Sequence, residues 1–179
     1  DGRQLLGVLV GDVEPELVLE GHDQFDGVER IRAQVIDERG LFGRDRLVRL
    51  ITRYCQPTRI LEVGCGTGKN LVHLRQAFPG AQLTGVDLSE AMLAQARKKL
   101  AGRQPAVELV HRAYEQPLSP EPRFDLLVFS YALSMFNPGW DQAIAAAQAE
   151  LAAGGVIAVV DFHASGFALY KRWMALNHV

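Results

Sequence analysis

Three glycines at alternate positions, Gly64, Gly66 and Gly68, close the run Arg59-Ile60-Leu61-Glu62-Val63, and Asp87 stands nineteen residues past the last of them. Glycines so spaced remove the Cβ atoms that hold a ligand off the backbone, and they allow the positive φ angles of a tight turn. Asp87 ends a second apolar run, Gln82-Leu83-Thr84-Gly85-Val86, so parallel pairing of the two runs would bring its carboxylate beside the glycine turn, within reach of ribose hydroxyls. The chemistry indicated is the binding of a nucleotide-like cofactor. A phosphate-cradling loop needs glycine where Val63 stands and Ser or Thr where Asn70 stands, so Gly68-Lys69 is a decoy. A dinucleotide fingerprint needs its third glycine at Lys69, which argues against NAD and FAD.

The form that remains, Glu-x-Gly-x-Gly-x-Gly from Glu62 to Gly68, resembles motif I of class I S-adenosylmethionine-dependent methyltransferases. The likeness covers about residues 44–162. It implies a Rossmann-like α/β fold, with a mostly parallel sheet covered by helices on both faces. It also implies S-adenosyl-L-methionine as cofactor and S-adenosyl-L-homocysteine as product. The cofactor contacts implied are Glu62, Gly64, Cys65, Gly66, Gly68, Asp87, Leu88, Met92, Ala113, Tyr114 and Ser130. Glu62 at its position in that motif orients backbone or meets the methionine amino group. Many relatives of this kind place an acid after the third strand to receive the adenine amino group, where this chain has His111-Arg112-Ala113-Tyr114-Glu115. Aligned on Ala113, Arg112 takes the acid's place, and a guanidinium cannot accept a hydrogen bond. In a shifted loop, Glu115 or a main-chain carbonyl takes the adenine instead.

The elements that must position these residues follow from the apolar pattern. Runs at 60–63, 83–86, 107–110, 124–129 and 156–160 alternate with helical stretches, the pattern of a parallel α/β sheet. The runs at 124–130 and 156–162 are apolar at nearly every position and belong at the sheet's centre. Ser89 caps a helix with Met92, Leu93, Ala96 and Leu100 as one stripe and Gly102 as its stop. An alanine-rich helix is expected over 141–153, ending at Gly154-Gly155. A further helix over 44–54 presents Leu47, Leu50, Ile51 and Tyr54 on one face. Residues 1–43 form an N-terminal extension and cap segment, with apolar patches at 5–10 and 17–19 that have no clear period. The methyltransferase domain occupies 44–179, and the terminal antiparallel hairpin usual in such proteins is expected to be missing or incomplete.

Chemistry beyond the cofactor would fall after the fourth strand, at Ser130-Tyr131-Ala132-Leu133-Ser134-Met135-Phe136 and Trp140. This run resembles bacterial methyltransferases of lipid head-group amines, the betaine-lipid and phosphatidylethanolamine N-methyltransferases. The segments 41–47, 159–163 and 172–179 add to the likeness, whereas Ile36-Asp37-Glu38-Arg39 replaces the tyrosine and aspartate signature usual there. The resemblance implies an amine acceptor, a lipid head group among the options, whose quaternary product aromatic faces can hold. Tyr131 is the first catalytic candidate and His163 the second; Asp161 and Glu115 are further groups able to take or orient the amine proton. Methylation of oxygen or carbon on a small metabolite, and a regulatory or scaffold protein that binds cofactor without turnover, are the alternatives.

Composition bounds the rest. With 179 residues and 48% hydrophobic content the chain can bury a sizeable core as one domain, and a net charge of -2 gives no broad field for nucleic acid. Two cysteines suit a reducing compartment, so the cytoplasm is expected. No apolar stretch approaches a membrane span and no secretory leader is evident. Phe167, Tyr170, Trp173 and Met174 recur at helical spacing beside Lys171 and Arg172, which suits peripheral membrane contact and equally a packing or dimer helix. The five histidines show no metal-ligand spacing, and no metal is expected.

Overall fold

The computed structural model describes residues 4–10, 30–36, 43–136 and 138–162. Among the described residues seven strands are defined: β1 (Gln4–Val10), β2 (Arg30–Ile36), β3 (Arg59–Val63), β4 (Gln82–Asp87), β5 (Glu108–His111), β6 (Phe124–Ser130) and β7 (Leu151–Phe162). Four helices accompany them: α1 (Gly43–Tyr54), α2 (Lys69–Ala77), α3 (Glu90–Leu100) and α4 (Trp140–Glu150). The strands form one sheet in the order β2-β1-β7-β6-β3-β4-β5, every described pairing parallel. From β3 the chain proceeds outward through β4 and β5, then returns to place β6 on β3's other side. That reversal between β3 and β6 is the switch point at which open α/β sheets bind ligands, beyond the carboxyl ends of the strands.

Alternation along the strands separates two cores. Ile60, Leu126, Val128, Ala158 and Val160 face α1 and α2, packing on Leu47, Ile51, Leu74 and Phe78. Leu61, Val63, Leu127, Phe129, Ile157 and Val159 face α4, against Ala143, Ala146 and Ala147. By the same alternation Glu62 and Ser130 point toward the α1/α2 side at the carboxyl ends of β3 and β6. A smaller cluster of Cys65, Leu71, Leu93, Ala96 and Leu100 joins α2 to α3 beside the glycine loop. Complete burial of Leu93 stabilises this contact by roughly 1.5–3 kcal/mol.

Several expectations change. Ser89 caps α3 by accepting from the Met92 backbone N–H, but Met92 is exposed rather than part of the buried stripe. Tyr54 is exposed on α1, and Val48 takes the buried place instead. The alanine-rich helix ends at Glu150, and β7 begins at Leu151, three residues before Gly154. Gly154 has φ +75°, and the β6/β7 register is irregular between Phe124 and Leu126, so residues 152–155 bulge within the strand where the sequence suggested a helix end. The apolar patch at 5–10 is β1, the neighbour of β7. The patch at 17–19, His163, the 167–177 amphipathic stretch and the expected terminal hairpin lie outside the described residues.

Candidate active site

The glycine loop folds as it does because three left-handed residues follow β3: Gly64, Gly66 and Gly68 have φ of +69°, +53° and +71°. A Cβ on Gly64 would stand 2.8 Å from the Cβ of Ala132, so the loop and the β6 turn can touch only through glycine. Gly68 does not line the cavity at the sheet's end. It starts α2 and packs against Ala96, which a Cβ would approach to 3.0 Å.

Asp87 organises the turn. Its Oδ2 accepts from Gly66 N at 2.7 Å and its Oδ1 from Ser89 N at 2.8 Å, which fixes the carboxylate at the mouth between the loop and α3. Backbone bonds from Gly64 N and Cys65 N to Val86 O complete the β3–β4 junction. Lys99 Nζ donates to Thr67 Oγ1 at 2.9 Å and ties the loop's outer side to α3.

A cavity of about 760 Å³ opens here. Its walls include Glu62, Gly64, Cys65, Gly66, Asp87, Leu88, Met92, Ala113, Tyr114, Ser130 and Tyr131, so every described residue of the expected set except Gly68 lies on it. Met135 and Phe136, from the run expected to carry the acceptor chemistry, line it too, as do Asn70 and Gln142, which had not been singled out as site residues. Asn70 was read only as the wrong residue for a phosphate loop. Burial, reinforced by the Glu62 and Asp87 carboxylates, pushes the Cys65 thiol far above the usual thiol range, so it is an inert wall.

The β5 side is held by a buried acid the sequence did not reveal. Glu150, fully buried, accepts from Tyr114 OH at 2.6 Å, Leu118 N at 2.7 Å and Ser119 N at 3.0 Å. Tyr114 therefore offers the cavity its ring and backbone while its phenol points to Glu150. Burial and that hydrogen bond raise its pKa well beyond the tyrosine range. Arg112 Nε and Nη2 donate to Ala113 O and Gln116 O, so its guanidinium staples its own loop. Glu115 lines the cavity beside it.

On the β6 side, Tyr131 has φ +56°, a strained conformation for a bulky residue and one that clusters at functional sites. Its N–H donates to Val160 O at 2.7 Å. The 3₁₀ turn Leu133–Met135 follows, and Asp161 clamps it by accepting from Ser134 N at 3.0 Å and Ser134 Oγ at 2.7 Å. Asp161 thus holds the turn and is not a cavity wall. The rim carries exposed Leu88 and Met135. Among the described residues no helix is long and apolar enough to cross a membrane.

The residues fit a nucleoside bearing an amino-acid tail. The Asp87 carboxylate lines the cavity beside the glycine loop, Gly66 leaves open space where a Cβ would stand, and Glu62 and Asn70 add polar groups to the wall. This fold and site define a nucleoside-cofactor protein of the methyltransferase class. The methyltransferase domain family matches residues 60–155. Trans-aconitate 2-methyltransferase of an Acidovorax species is 37% identical over 114 residues, 63% of this chain and 42% of that protein. Malonyl-acyl-carrier-protein O-methyltransferase of Priestia megaterium is 39% identical over 46% of this chain and 29% of that protein. Among solved structures, the S-adenosylmethionine-bound amino pentose methyltransferase of calicheamicin biosynthesis from Micromonospora echinaspora is 31% identical with a TM-score of 0.53, over 65% of this chain and 48% of that one. The chain belongs to the class I S-adenosylmethionine-dependent methyltransferase family, and it spans less than half the length of these curated relatives.

Proposed function

We propose that this chain transfers a methyl group from S-adenosylmethionine to an amine nitrogen of a small molecule. The observation that carries this reading is the charge distribution around the cavity. Among the described residues on the β6 side, Ser130, Tyr131, Met135, Phe136 and Gln142 line it, with no lysine, arginine or histidine. The lining cations are Lys69 on α2 and Arg112, which is occupied by carbonyls. A carboxylate acceptor needs cationic partners when it leaves water. An amine needs no such cation and is better served by aromatic faces, which also hold the cationic product.

In this reading Asp87 holds the ribose, the 112–115 loop takes the adenine, and Glu62 meets the methionine ammonium. The glycine loop with Cys65, Leu88, Met92, Ala113, Tyr114 and Ser130 forms the rest of the cofactor wall. The bound cofactor supplies an electrophilic methyl on a sulfonium. The chain's task is alignment and exclusion of water, for which the fixed turn of Tyr131 to Phe136 is suited. Tyr131 orients the neutral amine through its phenol, and Tyr131→Phe should lower turnover more than cofactor affinity. Likeness to the amino pentose enzyme supports an amine-bearing small molecule as the acceptor.

A second reading, O-methylation of a carboxylate, is favoured by the identity to trans-aconitate 2-methyltransferase. Transfer of labelled methyl to a panel separates the two: amino sugars, phosphatidylethanolamine in vesicles, and trans-aconitate. Labelling of soluble amines is the expected result, and labelling of the vesicles would move the acceptor to a lipid head group. Labelling of trans-aconitate alone would overturn the amine assignment.

A further inference from the structure

We propose that Asn70 reads the amino-acid end of the cofactor, its side-chain amide pairing with the methionyl carboxylate and making affinity depend on that end. Asn70 is 3% exposed and lines the cavity, yet neither Oδ1 nor Nδ2 has a protein partner. A buried amide left unsatisfied is costly, and such groups in folded proteins generally have a reason.

Its setting says what the partner is. Asn70 lies in the first turn of α2, a helix of nine residues that opens at left-handed Gly68 with no side-chain cap and no acidic residue in that turn. The N–H groups at this end are uncapped by any side chain, and the helix dipole makes the end attractive to an anion. Lys69 adds a positive charge at the same turn, and Glu62, lining the same cavity, supplies an acid for an ammonium. A zwitterionic tail matches this pairing: its carboxylate accepts from Nδ2 and the helix N–H groups, while its ammonium meets Glu62 and Oδ1. Asp87 holds the other end of the same ligand, so the two residues divide recognition between ribose and tail. The proposal rests on the family's cofactor and does not depend on the acceptor.

The test compares S-adenosylhomocysteine with 5′-methylthioadenosine, which keeps the adenosine and sulfur but lacks the tail, by calorimetry on the whole chain. Asn70→Ala should weaken S-adenosylhomocysteine about tenfold or more and leave methylthioadenosine nearly unchanged. Asn70→Asp should weaken S-adenosylhomocysteine further, because carboxylate then faces carboxylate. Thermal melting confirms that each variant is folded; if the alanine form is not, Asn70→Ser gives the same comparison. Parallel loss for both ligands, unchanged S-adenosylhomocysteine affinity in a folded variant, or tighter binding by Asn70→Asp would overturn the assignment.

Discussion

Asparagine at position 87 is the most informative single substitution, because its damage follows from hydrogen-bond polarity and not from size. Both oxygens of Asp87 accept backbone N–H groups, from Gly66 at 2.7 Å and Ser89 at 2.8 Å. Whichever way the asparagine amide is turned, its NH₂ faces one of these donors. One charge-assisted bond is lost and two donors are opposed, a cost of roughly 1.5–3 kcal/mol, and about 2 kcal/mol for a half-buried site. For a chain of this size that is a fall in Tm of about 4–8 °C. The amide also offers only one acceptor where the carboxylate can take two ribose hydroxyls, so S-adenosylhomocysteine affinity should drop roughly ten- to a hundredfold. Asp87→Ala leaves both N–H groups free to reach water and should cost no more in Tm than asparagine does. The assays are circular-dichroism melting and isothermal calorimetry. An Asp87→Asn protein with unchanged Tm and affinity within about a factor of two would refute the reasoning.

Two further outcomes come from the buried acids. Asp161→Ala should release Ser134 and the turn behind Tyr131, lowering methyl transfer about tenfold or more with a smaller change in S-adenosylhomocysteine affinity. Asp161→Asn should be tolerated, because the Ser134 hydroxyl can reverse and accept; equal loss of rate in both variants would contradict the clamp. Tyr114 is held neutral by burial and by Glu150, so its folded pKa lies above its unfolded value. Its contribution to stability is full below about pH 10, where the unfolded tyrosine ionises, and declines as pH rises beyond it. Tyr114→Phe should flatten that alkaline decline in Tm, and parallel curves for the two proteins would rule out the coupling.

The parts of the fold that the sequence discloses are those with local causes. Strands β6 and β7 are covered on both faces, so they are apolar at nearly every position over 126–129 and 156–160, and Ser89 has the side chain a helix cap requires. The glycine loop is visible because its φ angles demand glycine. What stayed hidden depends on partners far along the chain. Glu150 ends an alanine helix and reads as a solvated acid until Tyr114, Leu118 and Ser119 arrive from more than thirty residues away. Asp161 binds Ser134 across a similar distance, and nothing near Tyr131 announces its left-handed backbone. The early start of β7 was masked by alanines, whose helix propensity the pairing of Leu151 with Phe124 overrides.

The most direct test of the account is a calorimetric titration of the 179-residue chain with S-adenosylmethionine, S-adenosylhomocysteine, NADH and ATP. The glycine loop, Asp87 and the cavity between β3 and β6 predict binding of the two sulfur nucleosides and of neither control. Binding of NADH or ATP in their place, or of none of the four, would contradict it.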